Sequence, residues 1–549
     1  MASALMNLGS RAMFAAFAQL QTTSHNIANA SVAGYSRQEA QLATAKGQFT
    51  GAGFFGKGAD VATITRAHDA FLTREVATAT SLAAGDRARH AHLARLEEVF
   101  PSGERGIGHA AGQMLHAMVD LASRPQDLAT REVVLARARE VAVRFASAGG
   151  QLDSLQAGVG QDLRLAVERV NELAERVADV NQQIARLQGF GHSPNDLLDE
   201  RDRLIGRLSE FVALTTVAAD DGTLGVFVAG GQRLVLGNQA QRLAVTPDAI
   251  DASRLAIGIA EGSGLRPLSA DLLAHGQIGG LLRFQNDDLA AARAALGQMA
   301  VAFAARVDGQ LASGWDLDGQ PGAPLFQVGA PRVSAASTNA GSAGIGLQIT
   351  GAAQLRAEDY ELRYDGSHWH LLRADGGVPA GGPGPMTDAA LVAGVNVAAL
   401  GLSLQRSGGL AVAGDRFLLQ PVSRAAADMQ RVLDDPRGIA AASATQVNGN
   451  ALALAALRDE RMVNGETITD AWAGAMATVG VRVQSAATAA DISAAVRVAA
   501  ERQRESRSGV NLDEEAARLI QFQQSYQAAA KVLQVAQQVF DTLLSTAGR

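Results

Sequence analysis

The densest set of carboxylates in the chain is Asp196, Asp199, Glu200 and Asp202, residue types that can hold a divalent cation through oxygen ligands. Their spacing is helical and scatters them around the axis, so metal binding is not expected. His90 and His92 stand two apart, and His109 and His116 seven apart; exposed helix histidines are expected at both places. Asp316-Leu317-Asp318-Gly319 has the form of the first half of a calcium loop but lacks the later bidentate acid, which leaves a turn. Gly106-Ile107-Gly108 with Gly112 is a poor dinucleotide pattern, because no strand precedes it and the spacing is off by one. Asn29-Ala30-Ser31 is a formal glycosylation sequon, with meaning only where the modifying enzyme is met. No P-loop, His-Glu-x-x-His or Gly-x-Ser-x-Gly occurs. The absence of cysteine excludes disulfides, thiol nucleophiles and Cys-ligated zinc or iron–sulfur clusters. The expectation is a protein that is not an enzyme, with no catalytic residues, no metal and no cofactor.

The 549 residues are 47% hydrophobic and 19% charged, ordinary for globular protein and long enough for several domains. A net charge of −7, without a basic stripe, argues against nucleic-acid binding. The N-terminal stretch has no cationic segment before an apolar core, and Arg11 interrupts its apolar run, so it does not read as a secretory signal. The longest candidate membrane span, Ala389 to Leu404, contains Asn396 and is too short. The chain is therefore expected to be soluble at synthesis and not to insert in a membrane. Any action outside the cell would need export without a cleaved signal.

The elements that must carry whatever function remains are mostly helices. The chain is alanine-rich, and helical period dominates. Leu163, Val170, Val177 and Ile184 form one heptad column and Ala166, Leu173, Val180 and Leu187 the other, as in a helix lying on its own domain core. A second helix is expected from Ser193, with Ser193 as N-cap and Pro194 at the first position. Leu197, Leu204 and Phe211 would mark its buried face, with an Asp199–Arg203 pair on its surface.

From about 213 the texture changes to strands and turns, then helical period returns through Leu281, Phe284, Leu296, Phe303 and Val307. A Gly/Pro-rich tract follows from about 315, with a hairpin signal at Asp365-Gly366. The order helix, strand, helix, strand, helix predicts a multidomain, mainly α fold. Coiled-coil-like N- and C-terminal helices would join a helical-bundle stalk with inserted β-rich outer domains. The expected divisions are an N-terminal helix and arm (1–65), stalk (66–212), β-rich segment (213–275), helical return (276–314), β-rich outer domain (315–423), stalk again (424–507) and a C-terminal coiled-coil helix (508–549).

The last of these has the cleanest period. Leu519, Tyr526, Leu533 and Phe540 form one column, and Phe522, Ala529, Ala536 and Leu543 the other. At the opposite end Met6, Met13, Leu20 and Ile27 also recur every seven residues, with Phe17 between columns. Neither helix has a local core to cover, so each needs a partner, and the other terminus is the nearest one. In isolation both ends are expected to fray.

Two stretches add a resemblance. NIANASVAGYSRQ, from Asn26 to Gln38, resembles the N-terminal signature of the flagellar rod, hook and hook-associated protein family, and its GYSRQ ending is most like the hook–filament junction members. SGVNLDEEAARLIQFQQSYQAAAKVLQ, from Ser508 to Gln534, is similar to the C-terminal signature of the same proteins. Further likeness runs through Arg66–Leu72, Pro125–Arg131, Asn171–Ile184 and Pro194–Asp202, whereas residues 315–420 show none that can be placed. Where the family usually has Asn-Thr-Pro before the Gly-Tyr, this chain has Ser31-Val32-Ala33, which should leave the turn less fixed.

The resemblance implies a secreted structural protein of the bacterial flagellum at the junction of hook and filament. It would be exported by the flagellar type III apparatus, self-associate in a ring, and contact hook protein and a second junction protein. A cytoplasmic export chaperone would hold its C-terminal helix. The implied assembly interface includes Asn26, Asn29, Gly34, Tyr35 and Arg37, where Asn26 and Asn29 would end a helix in left-handed conformations before a turn at Gly34. It continues through Asn511 and the two terminal seams. A hook or rod axial protein, or an axial protein with an adhesive or hydrolytic outer domain, are the alternatives.

Overall fold

The structure is a computed structural model that describes residues 2–50, 53–189, 193–262, 264–374 and 376–547. Helix α1 (Ala2–Asn29) opens the chain and is followed by an arm of four strands. In the arm, β1 (Gln38–Thr44) pairs antiparallel with β4 (Ala59–Arg66), and β2 (Gln48–Thr50) with β3 (Gly53–Phe55) forms a hairpin between them. Gly58, at φ +87°, brings the arm against Leu8, and Arg11 is 2.7 Å from Asp60.

The stalk starts with α2 (Ala70–Glu97), whose N-cap Asp69 accepts from Phe71 and Leu72 N–H. Next come α3 (Ile107–Ser123), α4 (Leu128–Gln188) and α5 (Asn195–Phe211). At 61 residues α4 spans about 90 Å and is the backbone of the stalk. Its seam residues Leu163, Val170, Val177 and Ile184 are all fully buried, so this heptad covers the chain's own core. Leu187, the last member of the second column, is exposed instead, because the helix ends at Gln188. Helix α5 begins one residue later than its sequence suggests, with Pro194 rather than Ser193 at the cap. Leu204 is buried, and Leu197 and Phe211 pack at the edge of the core.

Two small antiparallel sheets follow. Strands β5 (Leu214–Ala218), β6 (Leu224–Val228), β7 (Gln232–Leu236) and β8 (Gln239–Ala240) lie in chain order. Strands β9 (Leu243–Pro247), β10 (Leu255–Glu261) and β11 (Gly264–Pro267) form a meander. Asn171 and Asn181 on α4 bind the sheets' free backbone: Asn171 donates to Leu243 O and accepts from Leu243 N–H, and Asn181 does the same with Leu224. Then α6 (Gly276–Arg283) runs through a π-helical turn (Phe284–Leu289) into α7 (Ala290–Ala312). The wider turn sets Asp288, fully buried, between Arg89 of α2 (2.7 and 2.9 Å) and Arg482 (3.1 Å).

The outer β region consists of a five-stranded sheet ordered 332–335, 416–420, 360–364, 368–373, 386–387, and a three-stranded sheet of 343–349, 402–408 and 395–397. Its core holds Tyr360 and Trp369, whose indole N–H donates to Asp388 at the start of α8 (Asp388–Ala393). Gly366, at φ +103°, makes the Asp365-Gly366 turn. Arg332 pairs with Gln420, so this region leaves and rejoins the stalk at adjacent points. Residues 315–331, expected with the outer domain, pack on the stalk instead: Trp315 bridges Ala442, and Leu325 and Phe326 N–H donate to Asp308 of α7. The buried Arg131 guanidinium of α4 donates to the carbonyls of Pro125, Pro436 and Ile439, tying the returning chain down.

Helices α9 (Gly449–Ala456), α10 (Ile468–Ser508) and α11 (Leu512–Ala547) complete the chain. Helix α10 runs antiparallel to α2, from Trp472 stacked on Phe100 (5.2 Å) to Ala500 beside Val76. Gly106 and Gly108 are close-packing glycines beneath that indole, since a Cβ on Gly108 would lie 3.1 Å from Trp472. His92 departs from expectation: it is buried, its Nε2 3.1 Å from Asp162, and burial holds its pKa below the ordinary value. His109 and His116 are exposed, as expected. Asp316 Oδ1 accepts from Asp318 and Gln320 N–H, a turn in place of a calcium loop. No described helix is long and apolar enough to cross a membrane.

Candidate assembly interface

The two terminal helices pair with each other in antiparallel register. Gly9 faces Leu533, Phe17 tilts against Tyr526 with ring centroids 6.4 Å apart, and Asn26 reaches Glu515. On α11 the contact follows the heptad: Ala529 and Ala536 are buried and Leu519, Phe522, Tyr526 and Leu533 half-buried. On α1 the sequence pattern pointed elsewhere. Met13, Leu20 and Ile27 are only half-buried, while the buried positions are the small residues Gly9, Ala15, Ala16, Thr22 and Thr23 together with Asn26. Small side chains let α1 approach both α11 and the arm, and the period of large apolar residues does not register that.

A knuckle of polar residues joins this helix pair to the stalk, and the Asn26 amide is its centre. Its Nδ2 donates to Gln38 O (2.8 Å) and Glu515 Oε2 (2.9 Å); its Oδ1 accepts from Gln38 N–H (2.9 Å) and Tyr35 OH (2.8 Å). All four hydrogen-bonding positions of a 1% exposed amide are thus filled. Asn26 therefore lies inside the helix, not at a left-handed cap. Asn29 ends α1 with its side chain bonded to His25 O, and it too has no positive φ. Gly34 alone in this turn is left-handed (φ +80°), and a Cβ there would sit 2.5 Å from Arg203 Cγ. The missing Pro is offset by hydrogen bonds from Val32 N–H to Asn29 O and Tyr35 N–H to Val32 O.

The residues after the turn each bind a different element. Ser36 N–H donates to Asp199 of α5, Arg37 N–H to Ser508 O at the end of α10, and the Gln38 amide to Asp196. Arg66, returning on β4, is held by Asp199 (2.7 Å) and Asp202 (2.6 Å). The carboxylates of α5 thus anchor the arm, and Asp199 pairs with Arg66 while Arg203 turns to Glu200. No cluster of three or more metal-ligating side chains occurs among the described residues. Burial, reinforced by Asp196, Asp199 and Glu515, pushes the Tyr35 phenol pKa up, so Tyr35 remains a donor. Asn511 is the N-cap of α11, accepting from Asp513 N–H at 3.0 Å.

Sequence reasoning assigned no role to Gln38, Arg66 or Glu515, and expected Asp199 to pair with Arg203 and not with Arg66. Glu515 is 1% exposed although it stands in an acidic first turn, where solvated acids are ordinary; its one distinguishing signal was its place in the C-terminal signature. Beyond the knuckle the helix pair presents large apolar side chains to solvent. They include Phe14 and Phe17 on α1 and Val532, Val535, Phe540 and Leu543 on α11. Phe540 and Leu543, expected in the seam, are exposed at 42% and 53% because α1 begins opposite Phe540.

Residues 93–326 match the family described as flagellar hook-associated protein FlgK helical domain, and residues 502–546 match the flagellar basal body rod FlgEFG protein C-terminal family. Flagellar hook-associated protein 1 of Escherichia coli (strain K12) is 31% identical over 99% of this chain and all of that protein. The protein of the same name from Salmonella typhimurium (strain LT2) is 32% identical over the same shares. The solved flagellar hook junction protein FlgK from Burkholderia pseudomallei is 24% identical, covers 79% of this chain and 100% of its own, and superposes with a TM-score of 0.74, which shows a common fold. The likeness in sequence therefore extends through the outer β region as well. With matches above 30% identity over 99% of its length, and a fold in common with the solved hook junction protein, the chain belongs to the flagellar hook-associated protein 1 family, structural proteins of the hook–filament junction.

Proposed function

We propose that this chain works as an exported ring-forming adaptor whose terminal helix pair is its assembly surface. The observation that carries this reading is the set of large apolar side chains left open along the α1–α11 pair, with Phe14 exposed at 66%, Phe540 at 42% and Leu543 at 53%. Monomers rarely leave so many large apolar side chains open along one helix pair without a partner. Neighbouring copies would cover it laterally, with hook protein below and the second hook-associated protein above. The knuckle at Asn26 and Tyr35 would hold the pair at a set angle to the stalk, keeping the outer β region away from the axis. No reaction is assigned to the chain.

Export as an unfolded chain through the flagellar type III apparatus suits a sequence with no cysteine. A chaperone binding α11 before export would cover the same apolar residues that the ring later buries. The test is photo-crosslinking in assembled flagella with a photoreactive residue at Phe540. Adducts of twice the chain's mass, or with hook protein, are expected; a probe that reacts only within its own chain would refute the assignment.

A further inference from the structure

The β2–β3 hairpin of the N-terminal arm leaves its aromatic side chains open. Phe49 of β2 and Phe54 of β3 stand directly opposite each other across the ladder, so their rings share one face, and they are 78% and 73% exposed. Phe54 lies across Gly47, where a Cβ would collide with the ring. Lys46 and Lys57 stand at the two feet of the hairpin, both exposed and neither in an ion pair among the described residues. There is no acid between residues 45 and 59.

A second unpartnered apolar surface lies at the same end of the terminal helix pair. Helix α1 begins opposite Phe540, so the last turns of α11 run past it, with Phe540, Leu543 and Leu544 at i, i+3 and i+4 on one open face. Asp541, beside that face, is the single charged residue between 532 and 547, and it too has no ion pair. The two surfaces stand at matching heights. Ala45 N–H donates to Gly58 O at the root of the hairpin, Gly58 packs on Leu8, and Gly9 faces Leu533, so the root is level with Leu533. Phe540 is about 10 Å further along α11, and the strand from Ala45 to Phe49 reaches about 13 Å. Within one chain neither surface covers the other, since both stay open.

We propose that the hairpin of one copy packs on the end of α11 of the next copy, Phe49 and Phe54 covering Phe540 and Leu543, with Lys46 and Lys57 around Asp541. This contact presupposes the ring assembly proposed above and names the element of the neighbour that meets α11. It joins two different patches of the same chain head to tail, the kind of contact that rotation closes into a ring. Rotation about an axis along the helix pair also keeps both patches at one height, and the opposite charges of hairpin and helix end favour this pairing.

The chain has no cysteine, so a thiol pair can be placed at will. Gly56→Cys, at an exposed glycine with open space around it, and Thr542→Cys, on the exposed end of α11, leave every proposed contact residue in place. The two variants are produced together in one cell, each on its own chain, and assembled flagella are treated with a short bis-maleimide. Species of twice the chain's mass are expected from the mixture and not from either variant alone. Phe49→Ser with Phe54→Ser should leave the melting temperature of the isolated protein unchanged and remove the twice-mass adduct of a photoreactive residue at Phe540. Absence of the thiol-linked species while that photo-adduct persists would overturn the hairpin contact and leave the ring standing, as would a photo-adduct unchanged by the two Ser substitutions. Loss of the photo-adduct in the parent chain would refute the ring itself, and the hairpin contact with it.

Discussion

The Asn26 amide donates to the Glu515 carboxylate across 2.9 Å, although 489 positions separate the two residues in the chain. This bond closes the knuckle: it ties the end of α1 to the start of α11 at the place where the arm's Tyr35 and Gln38 are bound by the same amide.

Replacing Asn26 with Ala would strand the Gln38 peptide groups, the Tyr35 hydroxyl and a Glu515 oxygen. The loss should be about 2–4 kcal/mol, since each buried polar group left unpaired costs about 1–3 kcal/mol and some will find water. It should fall locally. Hydrogen exchange is expected to accelerate at residues 30–38 and 508–516 while α3 and α4 keep their protection. Uniform acceleration throughout would contradict a local knuckle.

Leu533 and Phe540 occupy the same heptad column but should respond differently to Asp. Leu533 faces Gly9 inside the chain, so Leu533→Asp should open the helix pair and cost about 1–3 kcal/mol in the isolated protein. Phe540 is exposed, so Phe540→Asp should leave circular dichroism and melting unchanged yet prevent filament attachment. Electron microscopy of cells carrying each variant decides the second half of this prediction.

Burial pushes the Asp308 carboxyl pKa up to about 6, above its unfolded value, despite bonds from Leu325 and Phe326 N–H. The folded chain thus holds this proton more tightly than the unfolded chain does. The associated stability is present below about pH 4 and lost as pH rises through about 6. Asp308→Asn keeps the acceptor oxygen without the charge. Its melting temperature should match the parent at pH 4 and exceed it at pH 7; a difference that does not vary with pH would show that Asp308 does not titrate in this range.

Because Arg332 and Gln420 are paired neighbours, residues 332–420 should be removable with a short Gly/Ser bridge. A deletion starting at 315 should fail, since Trp315, Leu325 and Phe326 belong to the stalk. Circular dichroism and melting of the two deletions should separate them, and the shorter deletion should still support filaments. Loss of filaments with a folded, exported product would show that the outer β region is needed for attachment.

Much of the helical architecture was legible because helix geometry is local. The columns Leu163–Ile184 on α4 and Leu519–Leu533 on α11 name their buried or half-buried faces directly, since a period of seven turns one side of a helix toward whatever it packs on. The Asp365-Gly366 hairpin likewise depends on residues a few positions apart. The contact face of α1 was not legible in this way. It is chosen by close approach, so Gly9 and Ala16 are buried while larger neighbours such as Phe14 stay outside. The knuckle was legible only as a motif. That Asn26 would saturate its amide on Gln38, Tyr35 and Glu515, or that Asp199 would bind Arg66 and not Arg203, depends on partners brought together from distant parts of the chain. A hydrogen bond needs its two atoms within about 3 Å, and only the packed structure decides which of many polar side chains meet at that distance.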